Sequence, residues 1–211
     1  TDAAAGSDDD IQIAAGITLS SNSTLTFSAA GTNITGAGAL NLDADNGITI
    51  NNDLFTSGTT DINADSDADG TGTLVVANSA TVDTQDNALT ITADDINLNT
   101  SGALDSGSAS TTITESNGDG IGLGGTSVGL DITGTELQNI TATGLTLATS
   151  ADVVVDGILG TNSDNVSGTL TIDSGNNVSF LTADSTFNAL DVQADDGVII
   201  SRNITTDTGA L

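Results

Sequence analysis

Seven amino acids never occur in this 211-residue chain: Lys, His, Cys, Met, Pro, Trp and Tyr. Each absence excludes some chemistry. Without Cys there is no disulfide, no thiol nucleophile, no iron–sulfur site and no Cys-type zinc site. Without His there is no imidazole base or ligand and no Ser-His-Asp triad. Without Lys there is no Schiff base, P-loop lysine or Lys–Asn crosslink. The only base is Arg202, against 29 acids, for a formal net charge of −28. Such a chain repels phosphate, so nucleic acid is not an expected partner. No enzymatic role is expected.

High charge often accompanies disorder, but 36% of the residues are hydrophobic and mean hydropathy is +0.08. No apolar run approaches the roughly 18 residues of a membrane span, and no signal peptide opens the chain. The chain begins in mid-pattern, so any targeting signal is expected outside it.

What is present alternates with a period of two. Ile11-Gln-Ile13, Leu25-Thr-Phe27, Leu40-Asn-Leu42, Ile48-Thr-Ile50, Leu89-Thr-Ile91, Leu145-Thr-Leu147, Leu170-Thr-Ile172 and Leu190-Asp-Val192 are examples. Each puts two apolar side chains on one face and a small polar one on the other. Turns such as Asp45-Asn46-Gly47 and Asp196-Gly197 follow. Helix formers are scarce, with two Glu in the whole chain. The chain reads as all β.

A phrase Gly/Ala-(Thr)-Leu-x-Ile/Leu/Val recurs at Ala39-Leu40, Gly72-Thr-Leu74, Ala88-Leu89, Gly144-Leu145, Gly168-Thr-Leu170 and Ala189-Leu190. A longer echo relates residues 44–54, ADNGITINNDL, to residues 194–204, ADDGVIISRNI. Short strands with a loose period of about 20 predict a right-handed parallel β-helix of about ten coils, a rod on the order of 50 Å long. Stacked aliphatic ladders would build its core with only four Phe. The lack of Pro fits, since stacked strands use every backbone N–H. The alternative is a β-sandwich, which wants longer strands, clearer hairpins and usually a buried Trp or Tyr.

Neither terminus shows a helix or charged cap of the kind that protects open strand edges. Gly209-Ala-Leu211 restarts the recurring phrase, and residues 1–10 read like the acidic turn after it. Residues 1–211 are therefore read as a single β-solenoid module, one unit of a tandem array or filament. Phrases such as residues 168–178, GTLTIDSGNNV, and 88–96, ALTITADDI, resemble the repeat regions of filamentous-haemagglutinin-like exoproteins, very large bacterial adhesins. The resemblance covers the whole chain in style and implies a β-helical shaft displayed outside the cell. That family's amino-terminal secretion domain is not evident in this chain.

The sharpest local motif is Asp65-Ser-Asp67-Ala-Asp69-Gly70, carboxylates at alternate positions closed by a Gly, as in the first half of a calcium loop. Asp65, Asp67 and Asp69 are the candidate metal ligands and calcium the candidate ion. The place of the bidentate Glu is taken by Val76 and the flanks are strands, which excludes an EF-hand. The competing reading is a solvated acidic turn. Asp8-Asp9-Asp10, beside Asp2, is a second acidic cluster; Asp94-Asp95 and Asp195-Asp196 follow strands similarly. Gly118, Gly120, Gly122, Gly124 and Gly125 faintly resemble calcium-binding β-roll nonapeptides, though only Asp119 is acidic there. Thr-x-Thr pairs at 24/26, 71/73, 90/92, 112/114, 141/143 and 169/171 could form an ice-binding array, but their uneven intervals favour ordinary outward strand residues. Seven Asn-x-Ser/Thr sequons (Asn22, Asn33, Asn99, Asn139, Asn165, Asn177 and Asn203) occur in a Ser/Thr-rich chain without demanding glycosylation.

Polysaccharide lyases and hydrolases also use β-helices. Here the lyase bases reduce to Arg202, and the aromatic sugar platforms are missing. The sequence therefore predicts an extracellular or cell-surface structural module, a stiff acidic shaft or head-to-tail filament. The alternative is a β-module that binds calcium or a surface. Expected partners are copies of itself, divalent cations and a host or neighbouring cell surface. Mutual repulsion among the acids predicts that salt or divalent cations raise stability.

Overall fold

The computed structural model describes residues 10–29, 33–126 and 128–211. Asp2, Asp8 and Asp9 lie outside the described residues.

Alternating apolar side chains need a covered face, and short strands cannot supply one singly. Stacking solves this. The chain winds into a parallel β-solenoid whose coils repeat three short strands. The middle face is one sheet of eight strands: Ile17–Ser21, Leu40–Ala44, Thr60–Asn63, Leu89–Ala93, Ser110–Glu115, Gly144–Thr149, Leu170–Ser174 and Leu190–Ala194. The first face carries Ile11–Ile13, Asn33–Gly36, Asp53–Thr56, Thr81–Asp83, Ala103–Asp105 and Ile140–Thr141, then Ser185–Phe187 with Ile204–Thr206. The third carries Leu25–Phe27, Ile48–Ile50, Thr73–Val76 and Asp95–Asn97, and afterwards a separate sheet of Ile121–Gly124, Val153–Asp156, Asn177–Phe180 and Gly197–Ile200.

All nineteen pairings between these strands are parallel, which excludes the antiparallel β-sandwich. The expected ten coils are corrected to eight. Leu40 faces Thr60, but Thr111 faces Leu145, so a coil takes from about 20 to about 34 residues. The turns absorb the surplus, and the rod shortens to about 40 Å at the usual strand spacing.

The core is a set of ladders along the axis. Leu19, Leu42, Ile62, Ile91, Ile113, Leu147, Ile172 and Val192 stand in register through all eight coils. Beside them run Ile34, Leu54, Val82, Leu104 and Ile140 on the first face, and Ile121, Val153, Val178 and Val198 on the third. Where Thr60 and Thr111 replace a ladder Leu, each fully buried hydroxyl finds a partner across the corner. Thr56 Oγ1 lies 2.6 Å from Thr60 Oγ1, and Ser106 Oγ lies 2.9 Å from Thr111 Oγ1.

The all-β reading holds with two short exceptions, a 3-10 turn at Gly160–Asn162 being the lesser. A five-residue helix, Gly134–Gln138, opens on a capping box in which Thr133 and Glu136 serve each other's backbone N–H. Thr133-x-x-Glu136 is a sequence-level signal for that start. At the other end of the chain, Val198, Ile199 and Ile200 are 45%, 49% and 63% exposed, whereas Ile48 and Ile50 at the echoed positions are fully buried under the next coil.

Ile91→Ala should destabilise the fold by about 3 kcal/mol, because it opens a cavity in a ladder that cannot collapse. Thr90→Ala, on the outer side of the same strand, should cost no more than about 0.5 kcal/mol. Urea denaturation of both variants distinguishes a ladder core from a loosely packed one.

Candidate functional site: acidic turns along one corner

Between the middle and third faces the chain must turn sharply, leaving backbone N–H groups that need acceptors. In the third coil this turn is residues 64–72, containing the three candidate ligands. Asp65 is buried at 2% exposure. Its carboxylate accepts the N–H groups of Asp69 at 3.2 Å and Gly70 at 3.3 Å, and the Ser116 hydroxyl two coils on. Ala68 and Gly70 take left-handed conformations, φ 53° and 83°, to close the loop around it. One carboxylate oxygen from each of Asp65, Asp67 and Asp69 comes within 4.8 Å of the others, so the structure brings the three together. Val76 is a fully buried ladder residue and points no ligand at this loop.

Asp67 and Asp69 are exposed. Desolvation, then the charges of Asp69 and Asp45, hold the Asp67 carboxyl above its usual range. Asp94, one coil on, is raised by desolvation and by Asp65, Asp119 and Glu115. Asn117 Nδ2 donates to Asp94 at 2.9 Å and to Asp119 at 3.3 Å, tying the fourth turn to the fifth. The result is a ridge of carboxylates along one corner, with no base beside it among the described residues.

Sequence reasoning missed Glu115, which does in the fifth coil what Asp65 does in the third. Buried at 4% exposure, it accepts the N–H groups of Asn117, Gly118 and Asp119 and the hydroxyl of Thr149. Three or more donors around one carboxylate form an anion nest made by the protein's own backbone. Two of the glycines singled out above belong here. Gly118 and Gly120 have φ of 86° and 96° and let the chain turn about this nest, while Gly124, φ 109°, ends the following strand against Asp156. The signal for Glu115 was its rarity, as one of two Glu among 27 Asp.

Six further acids show a second pattern. Carboxylates of Asp10, Asp53, Asp86, Asp152, Asp156 and Asp184 each accept a backbone N–H from the following coil, on Asn33, Thr81, Ser108, Asn177, Ala183 and Asn203. The distances run from 2.6 to 3.1 Å. These charge-assisted bonds clip coil to coil at the corners, where the strand ladder stops. Hydrogen bonds from Ser108 hold Asp86 below the usual carboxylate range, and those from Asn203 do the same for Asp184. A lowered folded-state value means a contribution present above pH ~4 and lost as pH falls through the lowered value. Asp195 and Asp196 remain exposed.

Of the six Thr pairs, 90/92 and 112/114 fall together in a short grid. Thr90, Thr112, Thr146 and Thr171 line up across four coils, with Thr92 and Thr114 beside them, and the row ends at Asp61 and Asp191. The uneven sequence intervals that argued against alignment are taken up in the turns. Of the sequons, Asn22 is exposed, while the Asn139 amide nitrogen is buried.

No helix among the described residues is long and apolar enough to cross a membrane. Comparison with protein-family models, curated proteins and solved structures returns no match.

Asp65→Ala should cost about 2 kcal/mol with no metal present, since it strands buried turn N–H groups. Asp67→Ala should leave stability unchanged or raise it by removing a repelled charge. Thermal melts in chelator compare the two; an Asp65 variant as stable as Asp67→Ala would show that the nest is dispensable.

Proposed function

We propose that this chain is a structural module, a stiff acidic shaft segment of an extracellular or cell-surface fibre. The observation that carries the reading is the unbroken eight-strand middle sheet, with one aliphatic ladder running its length. Parallel stacking aligns the backbone hydrogen bonds with the long axis, so extension or bending works against all of them together. The phrase-level resemblance to filamentous-haemagglutinin-like repeats agrees with this, and the winding is taken as right-handed by the crossover rule. The last coil presents an open apolar pocket of about 320 Å³ lined by Phe180, Leu190, Val198, Ile200, Ile204 and Leu211. That surface suits another coil, from the same polypeptide or from a second copy.

A calcium-binding or adhesive module is the second reading, and the convergence of Asp65, Asp67 and Asp69 favours it. Those residues would supply oxygen ligands for a hard cation. Asp65 is already satisfied by backbone donors, so the turn holds its shape without one.

A shaft should keep its melting temperature within a few degrees when calcium is replaced by chelator, whereas a calcium-dependent module should melt. The denatured mass of the polypeptide from its natural source then assigns the level of assembly. A mass many times 20.7 kDa makes it one stretch of a giant exoprotein. A mass near 20.7 kDa makes it a subunit that stacks end to end.

A further inference from the structure

On the third face, the seam between the fourth and fifth coils is closed without a strand ladder. Asp95–Asn97 ends one sheet and Ile121–Gly124 begins the next, so no ladder continues the edge of Asp95–Asn97. The strand Leu130–Thr133 and the helix Gly134–Gln138 close it instead. Two carboxylates make the attachment. Asp131 N–H donates to Asp95 Oδ1 at 3.1 Å, and Leu98 N–H donates to Glu136 Oε1 at 3.2 Å. Leu130, Ile132 and Leu137 are fully buried beneath them.

A third carboxylate sits in the same seam. Asp131 Oδ1 is shut off from solvent and has no hydrogen-bond partner among the described residues. The charged groups packed around it are all acids. Asp95, with Asp94 beside it, comes from the fourth coil, and Glu136 from the helix. The strand Ile121–Gly124 brings no titratable side chain of its own, and Asp119 precedes it. The chain's only base, Arg202, bonds to Thr182 and Ser201 carbonyls at the far end of the solenoid.

We propose that Leu130–Gln138 is a proton-operated clasp, closed over residues 95–98 when Asp131 is protonated and loosened when it is ionised. Desolvation, followed by repulsion from Asp95 and Glu136, pushes the Asp131 carboxyl up to about 6. A raised folded-state value in an acid means that closure is favoured fully below pH ~4 and weakened as pH rises through about 6. This is opposite in sign to Asp86 and Asp184, so the clasp and the coil-to-coil clips respond to pH in different ranges and directions. The inference is independent of the shaft reading and survives its failure.

Amide hydrogen exchange at Leu98, Asp131, Thr133 and Glu136 between pH 4.5 and 7.5, corrected for intrinsic rates, tests it. The opening equilibrium should rise on the order of tenfold between about pH 4.5 and 6 and level off above it. That is less than the full shift would give, because Asp131 is half-exposed and partly screened. Amides of Ile62 and Ile91 should not follow this profile. Asp131→Asn should flatten it. Should Asp131→Asn leave the clasp open at every pH, Asp95→Asn is the second variant. It keeps an acceptor for the Asp131 N–H and should move the midpoint down. A pH-independent opening, or an unchanged profile in both variants, would overturn the proposal. So would calcium closing the clasp at pH 7.5 in wild type but not in Asp131→Asn, which would assign the site to a cation instead of a proton.

Discussion

Everything in this structure depends on one distance, the strand spacing of about 4.8 Å that the parallel hydrogen-bond ladder imposes between one coil and the next. A residue in one coil must sit on its counterpart in the next, so inward positions become columns and each column must be one kind of side chain. Leu, Ile and Val fill them because each stacks on itself without a polar atom to satisfy. The interruptions by Thr60 and Thr111 are tolerated because a second hydroxyl stands across the corner from each. The same constraint explains the missing Pro, which would remove a ladder donor.

Turns escape the ladder but inherit its consequence, since their N–H groups face the neighbouring coil with no strand partner. Carboxylates fill that role here. Asp is short enough to span one coil spacing with few rotatable bonds to immobilise, which accounts for 27 Asp against two Glu. Both Glu are buried at wider bends, Glu115 in a nest of the N–H groups of Asn117, Gly118 and Asp119 and Glu136 between a helix start and the adjacent coil. The acidity is therefore structural as well as superficial. Its cost is mutual repulsion among acids with only Arg202 to offset it, most acute where Asp94, Asp95, Asp131 and Glu136 crowd one seam.

Much of the architecture was legible because period two and the Leu-x-Ile phrase are local signals that survive any amount of turn variation. The number of coils was not. Residues 64–72 and 125–139 look like further repeats in a composition of Gly, Asp, Ser and Thr, yet they are insertions within single coils. The Asp65-x-Asp67-x-Asp69 motif was visible, and its three carboxylates do converge. Its internal asymmetry was hidden, since one acid is buried on backbone donors and two are left in solvent. Asp131 carried no motif at all, because the Asp95 that shapes its surroundings lies 36 residues away, and Glu115, though its backbone donors are local, matched no known loop pattern.

The sequence by itself determined the strands, the inward and outward faces, and the need for a stacked core. Alternation and residue type decide those within a few residues of each position. Only the tertiary structure decided the register. Register depends on how much chain each turn absorbs, and that sets which acid meets which N–H. It placed Thr90 beside Thr112 and Thr146 across unequal intervals. It also left Asp131 among carboxylates with one oxygen unpaired among the described residues, because burial and neighbouring charge are properties of the stack and not of any segment within it.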